Sequence, residues 1–80
     1  MLKELTNEEI REFLETKPKK KLKFKREGLL FEVVIEGENL TTVRAEHEED
    51  SGLFGIKTSF SNDDCIKTIQ KMTLLLSVYY

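Results

Sequence analysis

Apolar residues recur at every second position along most of the segment from Lys20 to Phe60, and this period constrains the fold more than any other feature. It is typical of strands with one buried face, because successive side chains of a strand point to opposite faces of a sheet. The alternation predicts four strands whose inward residues are Leu22 and Phe24, then Phe31, Val33 and Ile35, then Val43 and Ala45, then Phe54, Ile56 and Phe60.

Short turn segments separate the four runs, and the first two turns set the register of the strands that they join. A two-residue turn at Glu27-Gly28 places Lys23 opposite Glu32, and a three-residue turn at 37–39 places Glu32 opposite Arg44. Opposite charges that face each other across strands stabilise a sheet by on the order of 0.2–1 kcal/mol per pair. The predicted outer face has one row of Lys23, Glu32 and Arg44 and a second row of Lys25, Leu30 and Glu46.

Helical patterns flank the strands. Thr6 followed by Glu9 is a capping box, and it predicts a helix over residues 7–17. Ser61 opens a second helical segment, whose apolar stripe consists of Ile66, Ile69, Thr73 and Leu76. The order α-β-β-β-β-α predicts a single α+β domain over residues 1–80. In it, a four-stranded antiparallel meander sheet has the N-terminal and the C-terminal helix on one face.

The composition argues against several classes of protein. Cys65 is the only cysteine, so no intrachain disulfide can form, and a reducing, cytoplasmic location is expected. No apolar run approaches the roughly 20 residues that span a bilayer, so no membrane association is expected. The acidic, amphipathic N-terminus is unlike a cleaved signal peptide.

The residues that usually carry catalysis are sparse. His47 is the only histidine, and its acidic neighbours on a strand point alternately to opposite faces, so they do not converge on a metal ion. Cys65 has the spacing of a core-facing residue of the second helix and is interpreted as a structural thiol. The four glycines lie in or beside turns, and no phosphate-binding loop is present. We expect no catalytic residue, no metal site and no cofactor, and therefore no enzyme.

The segment from Lys17 to Arg26 contains seven of the 13 basic residues of the chain. A nucleic-acid-binding domain usually has a high pI, whereas the pI here is about 5.4. The predicted outer face also lacks the exposed rings on which bases stack. Two interpretations remain, a solvated strand face and an anion-binding site for nucleic acid or phosphate, formed by Lys17, Lys19, Lys20, Lys21 and Lys23.

Two further surfaces exceed what folding requires. One is an acidic patch that suits a partner protein with a basic groove, formed by Glu36, Glu38, Glu46, Glu48, Glu49 and Asp50. The other is an apolar C-terminal segment, interpreted as a homodimer interface of Leu74, Leu75, Val78, Tyr79 and Tyr80. For the first, the alternative is a solubilising loop. For the C-terminal segment, the alternatives are that helix 1, with Leu2 and Leu5, covers it or that it forms a fifth strand.

The sequence thus predicts a non-enzymatic cytoplasmic binding protein that acts through protein–protein contacts as an adaptor or inhibitor. In size, compactness and acidic patches it is similar to the small proteins with which phages block host defence nucleases, including anti-CRISPR proteins. That similarity, which no motif carries, implies an inhibitor of such a nuclease. The alternative is a weak nucleic-acid or phosphate-binding module that uses residues 17–26.

Overall fold

A computed structural model describes residues 2–49 and 54–77 and confirms the predicted α+β architecture. The sheet order is β1-β2-β3-β4, with every pair of neighbouring strands antiparallel. The elements in chain order are α1 (Asn7–Thr16), β1 (Lys21–Arg26), β2 (Leu29–Gly37), β3 (Leu40–His47), β4 (Phe54–Ser59) and α2 (Asn62–Ser77).

Both helices begin with side-chain caps. At α1 the Glu9 backbone N–H donates to Thr6 Oγ1 (3.2 Å), and the Thr6 N–H donates to Glu9 Oε1 (2.9 Å), which is the predicted capping box. At α2 the Asp64 N–H donates to Ser61 Oγ (3.0 Å), but Asp64 Oδ2 accepts from the N–H of Phe60 (3.2 Å) rather than from Ser61. The second cap therefore also restrains the chain that enters the helix.

The predicted register of the first three strands is confirmed. Lys23 pairs with Glu32, and Glu32 pairs with Arg44. The second turn is tighter than predicted, because Gly37 already pairs with Leu40 and an irregularity in β2 between Ile35 and Gly37 absorbs one residue. The bulge restores the count, so the shorter turn leaves the register unchanged.

The predicted inward face of β4 is wrong. Its Lys57 pairs with the inward Val43, and its Ile56 pairs with the outward Arg44. Ile56 is 57% exposed, and Phe60, beyond the end of the strand, is 67% exposed. The backbone of Phe54 pairs with Glu46. The positions of β4 that face the helices are Gly55, Lys57 and Ser59.

Small residues on β4 explain this choice of face, because they let α2 lie close to the strand. A Cβ atom on Gly55 would lie 3.2 Å from Met72 Cε. At the other end of the strand, the buried Ser59 hydroxyl donates to the Thr68 hydroxyl (3.1 Å). An inward Ile56 would occupy the space that α2 fills, so the larger side chain lies outward.

One hydrophobic core joins both helices to the inner face of the sheet. Phe24 and Phe31 stack across β1 and β2 with ring centroids 5.1 Å apart, and both are almost fully buried. Burial of each such ring contributes about 1.5–3 kcal/mol. The other buried apolar members are Ile10, Phe13, Leu14, Leu29, Val33, Val43, Ala45, Cys65, Ile66, Ile69 and Met72.

The segment before α1 lies along the edge of β1 that faces away from β2. The Lys25 N–H donates to the Lys3 carbonyl (3.0 Å), Glu4 forms a parallel bridge with Lys25, and Arg26 Nη2 donates to the Leu5 carbonyl (2.7 Å). Leu5 packs against the core, whereas Leu2 lines a hollow on the outer face of the sheet. Neither α1 nor α2 is long and apolar enough to cross a membrane.

Candidate functional site

The lysines of the basic stretch do not form one surface. Lys21 and Lys23 lie on the outer face, with their Nζ atoms 3.9 and 3.8 Å from Glu32 Oε2. Lys17 ends α1 in a left-handed conformation (φ 48°), and its Nζ donates to the Glu38 carbonyl (3.1 Å). Lys19 and Lys20 are exposed in the connection before β1. Three of the five candidate residues therefore already contact acceptors within the domain.

The candidate acidic residues divide into two groups. Glu36 and Glu38 lie at the β2–β3 turn, where Lys17 is their basic neighbour. Glu46, Glu48 and Glu49 lie at the opposite end of β3, roughly 20 Å away along an eight-residue strand. Asp50 lies outside the described residues. The acidic patch predicted as one surface is thus two.

Two acidic residues outside the predicted patch join the second of these groups. The Glu48 N–H donates to the Gly28 carbonyl (3.0 Å), which places the β1–β2 turn and its Glu27 beside the end of β3. Glu4, paired with Lys25, lies at the same end of the sheet. We define the acidic end as Glu4, Glu27, Glu46, Glu48 and Glu49. The register that predicts Lys25 beside Leu30 already implied the position of Glu27, but nothing local in sequence indicated Glu4.

A cleft of about 570 Å³ opens at the acidic end, between the start of α1, the last turns of α2 and the β1–β2 turn. Leu74 is the apolar residue of its lining, with 69% of its surface accessible. Asn7 Oδ1 is buried, and no donor from residues 2–49 or 54–77 reaches it. The lining residues are Glu4, Asn7, Arg26, Glu27, Gln70, Thr73 and Leu74.

Two of the polar lining groups are already engaged. Arg26 donates to the Leu5 carbonyl, and its guanidinium carbon lies 5.8 Å from the centre of the Phe24 ring. The Thr73 hydroxyl donates to the Ile69 carbonyl (2.8 Å). Among the lining groups, the carboxylates of Glu4 and Glu27 remain to meet a ligand, and Asn7 contributes a buried acceptor.

A second hollow, of about 350 Å³, lies on the outer face beside Leu2. Its floor is Leu30, and its charged walls, Lys23 and Arg44 against Glu32 and Glu46, carry equal numbers of each sign. The prediction that Phe60 lies inward is wrong, and its ring is exposed. Phe60 follows β4, however, whereas Lys20 precedes β1, and these two strands form opposite edges of the sheet. The exposed ring is therefore not interleaved with the lysines.

His47 and Cys65 both face the core. His47 is 7% exposed, and its Nε2 lies 2.9 Å from the Leu76 carbonyl oxygen, so it joins the end of β3 to the end of α2. Burial, with a smaller contribution from Asp64, raises the pKa of the Cys65 thiol to about 11. Such a thiol stays protonated at neutral pH and is a poor nucleophile. Within residues 2–49 and 54–77, no three His, Cys, Asp or Glu side chains are grouped to hold a metal ion.

The predicted C-terminal interface is only partly described. Leu74 and Leu75 lie in the helix and are exposed, whereas Val78, Tyr79 and Tyr80 lie outside the described residues. Leu74 lines the cleft at the acidic end. Leu75 lies on the other flank of α2, three residues after Met72, whose side chain reaches Gly55 of β4. The two leucines therefore belong to different surfaces.

Comparison of the chain with protein-family models, with curated proteins and with solved structures finds no match.

Proposed function

We propose that this domain is a non-enzymatic protein-binding module of adaptor or inhibitor type, and that its acidic end binds a basic segment of a partner protein in the cytoplasm. The observation that supports this proposal is the cleft at the acidic end. It combines the carboxylates of Glu4 and Glu27, the buried acceptor of Asn7 and the exposed apolar surface of Leu74.

An arginine or lysine side chain of a partner would supply donors to the carboxylates of this cleft, because the cleft's own Arg26 already donates to the Leu5 carbonyl. Its charged head supplies several N–H donors, and its aliphatic stem suits contact with Leu74. A buried acceptor without a partner costs about 1–3 kcal/mol, so a ligand that moved the Asn7 side chain and donated to its Oδ1 would recover part of that cost on binding. Pairing with Glu4 and Glu27 adds charge-assisted hydrogen bonds.

The other acidic residues of this end extend the surface beyond the cleft. Glu48 and Glu49 are exposed, and no ion pair within residues 2–49 and 54–77 involves them. Unpaired charges at the rim of an interface act mainly on the rate of association. The groove with which a nuclease binds nucleic acid is a basic surface. We therefore favour inhibition of a nuclease as the inhibitor role, including inhibition of a host defence nuclease by a phage protein.

The substitution Glu27→Asn tests the cleft while guarding against trivial unfolding. Glu27 has a positive φ of 49° in a two-residue turn with Gly28, a conformation that asparagine tolerates better than glutamate. The change should stabilise the fold by about 1 kcal/mol. It should also weaken binding of an arginine-rich peptide about tenfold, the equivalent of one charged hydrogen bond.

The matched control is Glu15→Asn, which removes the same charge from the exposed face of α1. A peptide with citrulline in place of arginine separates charge from shape. Binding of the arginine peptide that shifts the amide resonances of Asn7, Glu27 and Leu74 and is weaker in Glu27→Asn alone would support the proposal. Equal weakening in both variants, or equal affinity for the citrulline peptide, would refute it.

Lys19 and Lys20 favour a second candidate, weak phosphate or nucleic-acid binding, because they are exposed and take part in no ion pair in the described part of the chain. The double change Lys19→Gln and Lys20→Gln should then abolish binding of a DNA oligonucleotide. Affinity in the unmodified protein should fall steeply with added salt. Oligonucleotide binding that is unaffected by the two changes would eliminate this candidate.

A further inference from the structure

The two edges of the sheet are covered unequally. The edge of β1 is hydrogen-bonded to the segment before α1, through the Lys25 N–H and the Lys3 carbonyl. The outer edge of β4 is paired with no strand in the part of the chain that the structure describes. An unpaired edge presents a row of backbone donors and acceptors to which another strand can add.

Exposed apolar side chains lie on both sides of the β4 edge. Ile56 is 57% exposed on the outer face of the sheet. Leu75 is 61% exposed on the flank of α2 that lies over β4, the flank that also carries Thr68 and Met72. A strand added at this edge would thus cover apolar surface above and below the new hydrogen bonds.

We infer that the strand added there is β4 of a second copy of this chain. The two copies pair antiparallel about a two-fold axis at Ile56 and form one continuous eight-stranded sheet, since each copy contributes four strands. This interface is separate from the proposed binding of a basic partner, because it involves none of the acidic-end residues Glu4, Glu27, Glu46, Glu48 and Glu49.

The charge on β4 selects this register. Facing residues of an antiparallel pair lie on the same side of the sheet, so the two-fold axis must pass midway between one residue and its own copy. Only two such registers pair five of the six residues Phe54–Ser59. An axis at Lys57 sets two lysines face to face, which is unfavourable. An axis at Ile56 sets Ile56 against its own copy and places each Lys57 opposite Gly55, where no charge is repelled.

This register fits the chemistry of a self-interface on a charged protein. Lys57 is the only charged residue of β4, so an interface centred one residue away from it avoids like-charge contact. The two Ile56 side chains then meet on the outer face near the axis. The same lysine disfavours other registers and so contributes to the choice of one dimer.

Light scattering combined with cysteine cross-linking tests the inference. The intact protein should have twice the chain mass of 9.4 kDa. Ile56→Cys should form a disulfide-linked dimer under mild oxidation, since facing Cα atoms of antiparallel strands lie about 4.5–5.5 Å apart. Lys57→Cys should not, because its two Cα atoms would be roughly 8 Å apart. Cys65 can stay in place, since it is fully buried.

A charge substitution adds an independent arm. Ile56→Lys sets like charges across the axis and should reduce the measured mass to 9.4 kDa, with the circular dichroism spectrum unchanged because Ile56 is exposed. Thr58→Lys, on the same face and also exposed, should stay dimeric, since Thr58 would face Phe54. A monomeric intact protein at all concentrations, or cross-linking of Lys57→Cys in preference to Ile56→Cys, would overturn the inference.

Discussion

The two edge strands of this sheet, β1 and β4, differ in how far their unpaired backbone groups are open to another strand. β1 carries Lys21, Lys23 and Lys25 on its outer face, and its edge is bonded to Lys3 of the preceding segment. β4 has one lysine, and exposed apolar side chains lie on both faces of the sheet at its edge, Ile56 on the outer face and Leu75 of α2 on the other. A lysine-rich, partly covered edge resists strand addition, whereas an apolar, open edge invites it. This difference is the reason for the proposed pairing of β4 with a second copy of the chain.

The largest difference between β1 and β4 should be in how much their side chains contribute to the free energy of unfolding. Phe24 of β1 is fully buried, so Phe24→Ala should lower the free energy of unfolding by about 3–5 kcal/mol. Ile56→Ala in β4 should change it by less than about 0.5 kcal/mol once the protein is dilute enough to be monomeric. Urea denaturation measures both. Equal losses for the two variants would mean that β4 is buried as deeply as β1.

The approach of α2 to β4 should be the next most sensitive feature. A Cβ atom on Gly55 would lie 3.2 Å from Met72 Cε and 3.9 Å from Leu76 Cδ1. Gly55→Val, with two further methyl groups, should therefore push the helix outward and destabilise the fold by about 1–3 kcal/mol. The matched change is Gly37→Val, whose Cβ atom would have only Leu40 Cβ within 4 Å, at 3.9 Å. Thermal melts of the two variants would contradict this packing if Gly37→Val were the less stable one.

The smallest effect should be a pH dependence at the surface contact between the helices. Arg11 of α1 donates a hydrogen bond to Asp63 of α2, and this bond, with the charge of Arg11, lowers the pKa of Asp63 below its usual 3.8. A lowered pKa in the folded state gives stability that is present above about pH 3.8 and is lost as pH falls through the folded value.

Asp63→Asn removes this dependence. Its unfolding free energy, measured by urea titration from pH 7 to pH 2, should differ from that of the intact protein by a constant amount at the upper end and converge with it at the acidic end. A difference that grows as the pH falls would contradict the assigned direction.

The strands β1 to β3 could be predicted from sequence because short turns link them. The two-residue turn at Glu27-Gly28 leaves one choice of facing residues for β1 and β2. The bulge in β2 did not alter the predicted register of β2 with β3. β4 could not be predicted in the same way. Its connection to β3 is longer, so no turn geometry set its register, and the apolar Ile56 was assumed to lie inward. The packing of Met72 against Gly55 decided the face, and that contact joins residues far apart in sequence.

The candidate site was predictable only in part. Glu46, Glu48 and Glu49 are close together in sequence and remain together, but Glu36 and Glu38 are separated from them by the length of β3. Glu4 and Asn7 reach the cleft because the segment before α1 lies along β1, a contact between distant residues that no local pattern indicated. Leu74 and Leu75 are neighbours in sequence that helix geometry directs to different flanks.

Amide hydrogen exchange at two protein concentrations tests the difference between the edges most directly. The Lys25 amide, bonded to the Lys3 carbonyl within the chain, should be equally protected in concentrated and in dilute solution. The edge-facing amides of Phe54–Ser59 should be protected only in concentrated solution and in variants that still dimerise. Exchange from β4 at one rate, whatever the concentration, would show that its edge pairs with no second copy.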